Sequence, residues 1–308
     1  MFLNIKNLSK KYGENSVLKD LNFSLNKGEI ISIIGSSGSG KTTLLKCISG
    51  LCDINNGEIS INLKQIQNLE PNERNIGYVF QESPLFPHLN VIDNILFNMK
   101  YIDKEKLNFL LEKTQIGQLK NRYPHEISGG ENQRVSVARS LIRNPSLLLL
   151  DEPFNNLDNR IKKNTKEIVL DIIKKTKTTT IIVNHDIKES LEIADKILVL
   201  DKNVKNIMIG TPLEVYSKPI SLETARLFGE INSINIKDKK MYVRPHNISI
   251  VDKSNIKAKV IESIFLGSHY KITAKFEKDI VIIFNHEHIE KNTIIYLNIK
   301  EKNMMKFD

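Results

Sequence analysis

The apolar positions of this chain change period along its length, and each period predicts a different kind of element. Residues 2–8, and then Leu21, Phe23 and Leu25, alternate with polar residues ahead of a turn at Asn26-Lys27-Gly28, which predicts antiparallel strands with one buried face. Ile30-Ile31-Ser32-Ile33-Ile34 reads as a buried strand, and Leu44-Leu45-Lys46-Cys47-Ile48 has helical spacing up to Gly50. Segments 57–61 and 77–81 read as further strands. From Pro84 to about Arg143 helical periods dominate, over 90–100, 104–114 and 131–142, broken at Pro87 and at Tyr123-Pro124-His125; this predicts a helical subdomain at about 84–143 inserted into an α/β core. The four leucines Leu147-Leu148-Leu149-Leu150 then predict a strand buried on both faces, as in a parallel sheet. A helix over 161–175, a strand over 180–183, a short helix over 187–194 and a strand over 196–200 follow. Such alternation builds a parallel sheet with helices on its faces. After a loop-rich connection holding Pro212, Pro219 and Gly229, short alternating segments run from 241–244 to 295–299. They predict a small all-β, barrel-like domain over 231–308 behind an α/β domain over 1–230.

Chemistry enters where the strand Ile30–Ile34 ends. Gly35-Ser36-Ser37-Gly38-Ser39-Gly40-Lys41-Thr42, with Thr43 behind it, joins that strand to the following helix. Glycines let backbone N–H groups turn inward on an anion, the helix N-terminus adds partial positive charge, Lys41 reaches outer phosphates, and Thr42 offers its hydroxyl to Mg²⁺. Asp151 and Glu152 appear where the leucine strand emerges. In a chain with a phosphate loop, Asp151 is the carboxylate expected to hold Mg²⁺, and Glu152 the one to polarise an attacking water. Gln81 and His185 also stand at strand tips on the edge where α/β folds bind ligands. A lone histidine is usually a satisfied loop residue; the position of His185 argues for the site instead. Tyr12, in the connection between the first strands, either stacks on an adenine ring or covers a sheet edge, and the residues alone leave both readings open.

Composition narrows the class. Forty per cent hydrophobic residues over 308 positions suffice for two packed cores, no apolar run approaches the roughly 20 residues of a membrane helix, and the start lacks the features of a secretory signal. The expectation is a soluble protein that stays inside the cell unless a partner holds it at a membrane. Cys47 and Cys52 have no metal-like or redox-like spacing and read as buried, reduced thiols. The net charge of +9 is compatible with nucleic acid or an anionic membrane, but Lys, Asn and Ile are spread over the whole chain, which points to compositional bias.

Ile127-Ser128-Gly129-Gly130-Glu131-Asn132-Gln133-Arg134 resembles the signature motif of ATP-binding cassette ATPases, and it stands between a phosphate loop and an apolar-Asp-Glu strand as in that family. The resemblance implies a homodimer in which Ser128, Gly129, Gly130 and Glu131 close over the γ-phosphate held by the other copy's phosphate loop. It implies that Tyr12 stacks on adenine, that Gln81 ligates Mg²⁺ beside Thr42 and Asp151 and senses a membrane partner, that Glu152 is the catalytic carboxylate, that His185 contacts the γ-phosphate, and that Asp158 communicates across the dimer. The sequence departs from the family pattern at Glu131, where glutamine is common, at Asn155 and Asn156, where small residues are usual, and at Asn184, where threonine or serine usually precedes the histidine.

Val79-Phe80-Gln81-Glu82-Ser83-Pro84-Leu85-Phe86-Pro87-His88 and Tyr123-Pro124-His125-Glu126 are similar to cassettes of bacterial importers for ferric iron, polyamines, sulfate, molybdate and sugars. Tyr242-Val243-Arg244-Pro245-His246 and Phe265-Leu266-Gly267 resemble their OB-like C-terminal domain. Leu227-Phe228-Gly229-Glu230 is most similar to iron-type members. The expected protein is therefore an importer ATPase at the cytoplasmic face of the inner membrane, with two permease subunits, a solute-binding protein and no nucleic-acid partner. A cassette acting on nucleic acid or the ribosome is the rival of a different class. It is disfavoured by the single cassette, the short insertion and the lack of basic residues interleaved with aromatics in the tail. An exporter cassette is disfavoured by the C-terminal β domain.

Overall fold

The computed structural model describes residues 1–82, 84–155, 157–200, 207–236 and 239–307. The chain folds as two compact units, Met1–Val215 and Tyr216–Asp308. In the first, β1 (Leu3–Tyr12) and β2 (Asn15–Leu25) form an antiparallel pair, and β3 (Ile30–Ile34) leads through the glycine loop into α1 (Lys41–Ser49). Next come β4 (Asn56–Ile61), β5 (Lys64–Gln65) and β6 (Ile76–Val79), then α2 (Val91–Leu96), α3 (Lys104–Lys113) and α4 (Gly129–Leu141). The unit continues with β7 (Leu147–Asp151), α5 (Asn159–Thr176), β8 (Thr179–Val183), α6 (Ile187–Ile193), β9 (Lys196–Val199) and β10 (Met208–Gly210).

Two sheets result, a four-stranded one ordered β2-β1-β4-β5 and a six-stranded one ordered β10-β9-β3-β8-β7-β6. Every pairing in the larger sheet is parallel except that of β10 with β9. The leucine strand shows why it is apolar throughout. Leu147 and Leu149 pack into a core with α1 and the four-stranded sheet, while Leu148 and Leu150 join the opposite core with α2, α4 and α5, and all four are fully buried. Burying each stabilises the fold by about 1.5–3 kcal/mol.

Helix ends follow local chemistry. Asn90, Asp103, Asp158 and Asp186 cap α2, α3, α5 and α6 through their side chains. Some elements differ from the sequence reading. Tyr12 is the last residue of β1 rather than part of a connection, because its backbone pairs with Asn15 across a tight turn. The helix expected over 90–100 stops at Leu96, where Phe97 leaves helical geometry.

The second unit opens after α7 (Pro212–Ser217), which spans the junction, with α8 (Leu222–Leu227). The rest is all β. A three-stranded sheet comprises β11 (Asn232–Ile236), β12 (Lys239–Val243) and, from the chain end, Met304–Met305. A five-stranded antiparallel sheet is built from 248–251, 256–265, 270–276, 279–285 and 294–299. Ile234, Val243, Ile272, Ile283 and Leu297 centre its core. Within this unit, buried Arg244, just after β12, donates to the carbonyls of Ala225 in α8 (3.0 Å) and Tyr216 (3.2 Å).

Candidate active site

Strand order assembles the site. The glycine loop leaves the carboxyl end of β3, and β8 and then β7 lie beside it, so the tips of three parallel strands bring the loop, His185 and the Asp151-Glu152 pair to one edge. A cavity of about 360 Å³ opens there, lined by Ser37, Gly38, Gly40, Lys41, Thr42, Thr43, Glu152 and His185, with Val17 from β2. Clefts of about 720 and 770 Å³ lie elsewhere, beside Lys27 and Lys177 and between α5 and α6. Neither brings a phosphate loop to a carboxylate at a strand tip, so chemistry rather than size selects the site.

Gly40 caps α1 with φ +98°, and a Cβ there would lie 2.8 Å from Leu18 Cδ2, so only glycine fits between the loop and β2. The helix N-terminus has no side-chain cap. Ser39 Oγ is buried without a hydrogen-bond partner, and Lys41 Nζ donates to the carbonyls of Gly35 and Ser36, both at 2.9 Å. An uncapped helix start, an orphaned hydroxyl and an ammonium over the loop are the donor set of an anion site.

Behind the loop, Thr42 Oγ1 donates to Asp151 Oδ1 at 3.1 Å and Tyr78 donates its hydroxyl to Asp151 Oδ2 at 3.0 Å. Asp151 is 4% exposed. Burial raises its pKa; the Tyr78 and Thr42 hydrogen bonds lower it and the adjacent Glu152 charge raises it, with burial winning. The Tyr78 hydroxyl is pushed well up by burial and by the Asp151 charge. Glu152, next along, has φ +46°, and its Oε2 accepts from Asn155 Nδ2 at 2.5 Å. Thr42 and Asp151 supply the hydroxyl and carboxylate oxygens that a hard cation takes. Among the described residues no group of three or more His, Cys, Asp or Glu is placed to hold a metal, so such a cation would also need phosphate oxygens.

The ABC transporter family profile matches residues 18–155. Over 297 residues the chain is 37% identical to the sulfate/thiosulfate import ATP-binding protein CysA of Mesostigma viride, covering 87% of this chain and 85% of that one. The chain belongs to the ATP-binding subunits of ABC importers. The Fe(3+) ions import ATP-binding protein FbpC 2 of Haemophilus influenzae is 42% identical over 238 residues, 74% of this chain and 67% of that protein. Among solved structures, the dimeric post-hydrolysis state of the ATP-binding cassette MJ0796 bound to ADP and Pi superposes with a TM-score of 0.58 at 29% identity, covering 67% of this chain and 97% of that one.

The remaining expected site residues of the cassette lie apart from the cavity. Ser128 caps α4 in a reciprocal box: its Oγ accepts from the Glu131 N–H at 3.4 Å, and Glu131 Oε2 accepts from the Ser128 N–H (2.7 Å) and hydroxyl (2.8 Å). A Cβ on Gly130 would meet Ile161 Cγ2 at 2.4 Å, so glycine here lets α5 approach α4; Gly129 is exposed beside it. Asp158 accepts from Arg160 N at 3.0 Å, as the α5 cap. Gln81 is exposed in the turn after β6, the edge strand beyond β7, and is not among the cavity-lining residues. Tyr12 is half-exposed, with its hydroxyl 3.2 Å from Cys52 Sγ and Lys10 Nζ 5.0 Å from its ring centroid. Asn184 is buried; its N–H donates to Ile33 O and its side chain to Ser32 Oγ, at 3.2 and 3.5 Å, which fixes the tip of β8 to β3. Asn156 lies outside the described residues. Sequence reasoning missed Tyr78, read only as an apolar strand position, and the bond from Asn155 to Glu152. It also missed Arg74, whose guanidinium donates to the carbonyls of Cys47 and Ile48 at the end of α1. No local signal marks Tyr78 or Arg74, since each acts on residues brought near by folding, whereas Asn155 stands only three positions from Glu152 and was passed over as a departure from the family pattern.

Proposed function

We propose that this cassette hydrolyses Mg²⁺-bound ATP at sites shared by two copies of the chain and thereby drives a bacterial importer whose cargo is ferric iron. The observation that carries the reading is the Thr42–Asp151 hydrogen bond behind the phosphate loop, on the same edge as Glu152 and His185. In this reading Gly35 to Thr43 cradle the phosphates, Lys41 turns from its own loop to them, and Tyr12 stacks on the adenine. Thr42 and Asp151, with Gln81, would hold Mg²⁺, which when bound neutralises developing phosphate charge. Glu152 takes a proton from water as the new O–P bond forms and the β–γ bridging bond breaks, releasing ADP and phosphate, while His185 steadies the γ-phosphate. Ser128, Gly129, Gly130 and Glu131 lie outside the cavity of their own chain, which suits completion of the site by a second copy, with Asp158 at the seam; the dimeric form of MJ0796 supports this. Two permease subunits and a solute-binding protein complete the assembly at the cytoplasmic face of the inner membrane, with no nucleic-acid partner. No helix among the described residues is long and apolar enough to cross a membrane, so the permeases supply the path.

Iron is favoured by the 42% identity to FbpC 2 and by Leu227-Phe228-Gly229-Glu230. The likeness to CysA favours sulfate or thiosulfate as the second reading. Glu152→Gln should lower ATP turnover by about 10²–10⁴, and normal turnover would sink the mechanism. Cells deleted for the gene should lose uptake of radiolabelled ferric iron and keep sulfate uptake. The reverse result would assign the sulfate reading.

A further inference from the structure

The Tyr78 hydroxyl is the one polar group on an otherwise apolar side chain, and the fold spends it on Asp151. Tyr78 lies in β6 opposite Leu149 of β7, and Asp151 is two residues further along the same strand, so strand register brings the phenol over the carboxylate. The ring is held on its other side by a stack on Phe80, with centroids 4.3 Å apart and planes 27° from parallel. A phenylalanine would provide the same stack and the same apolar packing. What the tyrosine adds is a charge-assisted hydrogen bond to a carboxylate that is almost wholly out of water.

The consequence runs through three residues. Tyr78 holds Oδ2, so the carboxylate cannot swing about its Cβ–Cγ bond and Oδ1 stays turned toward α1. Oδ1 in turn takes the single proton of the Thr42 hydroxyl, which leaves the oxygen lone pairs of Thr42 directed away from Asp151. A cation approaching Thr42 then meets an oriented acceptor rather than a rotating hydroxyl.

We propose that Tyr78 is a positioning residue for the metal of the nucleotide: it acts through Asp151 to preset Thr42 and Asp151 for a divalent cation. This rests on the reading of those two residues as cation-holding groups. Outer donors to ligating carboxylates typically change metal affinity by about 10–100-fold when removed. Because phosphate oxygens supply much of the binding to a nucleotide-bound cation, the lower end applies here.

The test uses the full chain in a Glu152→Gln background, which keeps ATP intact, with Mn²⁺ as the probe read by electron paramagnetic resonance of the free ion. Tyr78→Phe should weaken Mn²⁺ binding to the ATP-loaded protein about 10-fold and leave ATP affinity in EDTA unchanged. Tyr78→His, which keeps a ring and a donor, should recover part of the loss. In an Asp151→Asn background, Tyr78→Phe should add nothing, since the two act in series. If Asp151→Asn weakens Mn²⁺ binding and Tyr78→Phe does not, the role of Tyr78 is overturned while the metal reading stands. If Asp151→Asn itself leaves Mn²⁺ affinity unaltered, the metal reading and the proposal fall together. A lowered melting temperature for Tyr78→Phe with unchanged Mn²⁺ affinity would show a merely structural hydrogen bond and refute the positioning role.

Discussion

Arg74 should be among the most costly residues to remove from the first unit, although it lies outside the site. It is 6% exposed and its guanidinium serves four carbonyls: Nε donates to Leu69 O (2.9 Å), Nη2 to Gln67 O (2.8 Å), and Nη1 to Cys47 O and Ile48 O (2.9 and 3.0 Å). Two of these belong to the last turn of α1, where carbonyls lack helical partners and a cation also meets the negative end of the helix dipole. Cys47 O also accepts from the Gly50 N–H, so truncation to alanine strands up to three carbonyls at about 1 kcal/mol or more each, and leaves a void. Relief from burying a guanidinium, which lowers the pKa of Arg74, offsets part of that. A net loss of about 3–5 kcal/mol follows, or roughly 10 °C in melting temperature for a unit of this size. Arg74→Lys, with three donors on one nitrogen, should lose about half as much. Gly50→Ala gives an independent check, because a Cβ there would lie 2.6 Å from Arg74 Nε on a backbone with φ +82°. Calorimetry of the three variants against wild type measures all of this. A drop of less than about 3 °C for Arg74→Ala would refute the reasoning, since it would mean that water replaces the guanidinium at negligible cost.

The remaining predictions concern the site. Asn155→Ala removes the amide that holds Glu152 Oε2 and should lower kcat by up to about 10-fold, the worth of one solvent-exposed hydrogen bond, with KM for ATP unchanged; a rise in kcat would mean that the amide restrains the base instead of orienting it. Cys47 is buried as the sequence suggests but Cys52 is only partly buried, so iodoacetamide should label Cys52 and spare Cys47. Burial raises the Cys52 thiol pKa, but hydrogen bonds from Tyr12 and Lys10 and the Lys10 charge more than offset this and hold it below the ordinary value, whereas Cys47 is pushed up to about 12, chiefly by burial. The thiolate of Cys52 is therefore present at lower pH than that of an ordinary cysteine, and its labelling rate should level off at lower pH. Peptide mass spectrometry showing Cys47 labelled first would contradict this environment.

Much of the molecule was legible before folding was considered, and the reason is locality. Gly40 belongs to a glycine-rich run and has a left-handed backbone angle of its own, and the alternation of Leu147 to Leu150 between two cores follows from a period of two residues. A phosphate loop between an apolar strand and a helix, and an acid pair at the end of a leucine strand, are likewise written in consecutive residues. Tertiary structure decided what depends on which strand lies beside which. The order β3-β8-β7 brings His185 and Glu152 to the glycine loop, whereas Gln81, on the turn after the edge strand, lies off the cavity lining. Tyr78 meets Asp151 only because β6 pairs with β7 in one register, and Arg74 meets α1 across a gap of 26 to 27 residues. Such partners are chosen by long-range packing, and no period or motif near either residue carries that information.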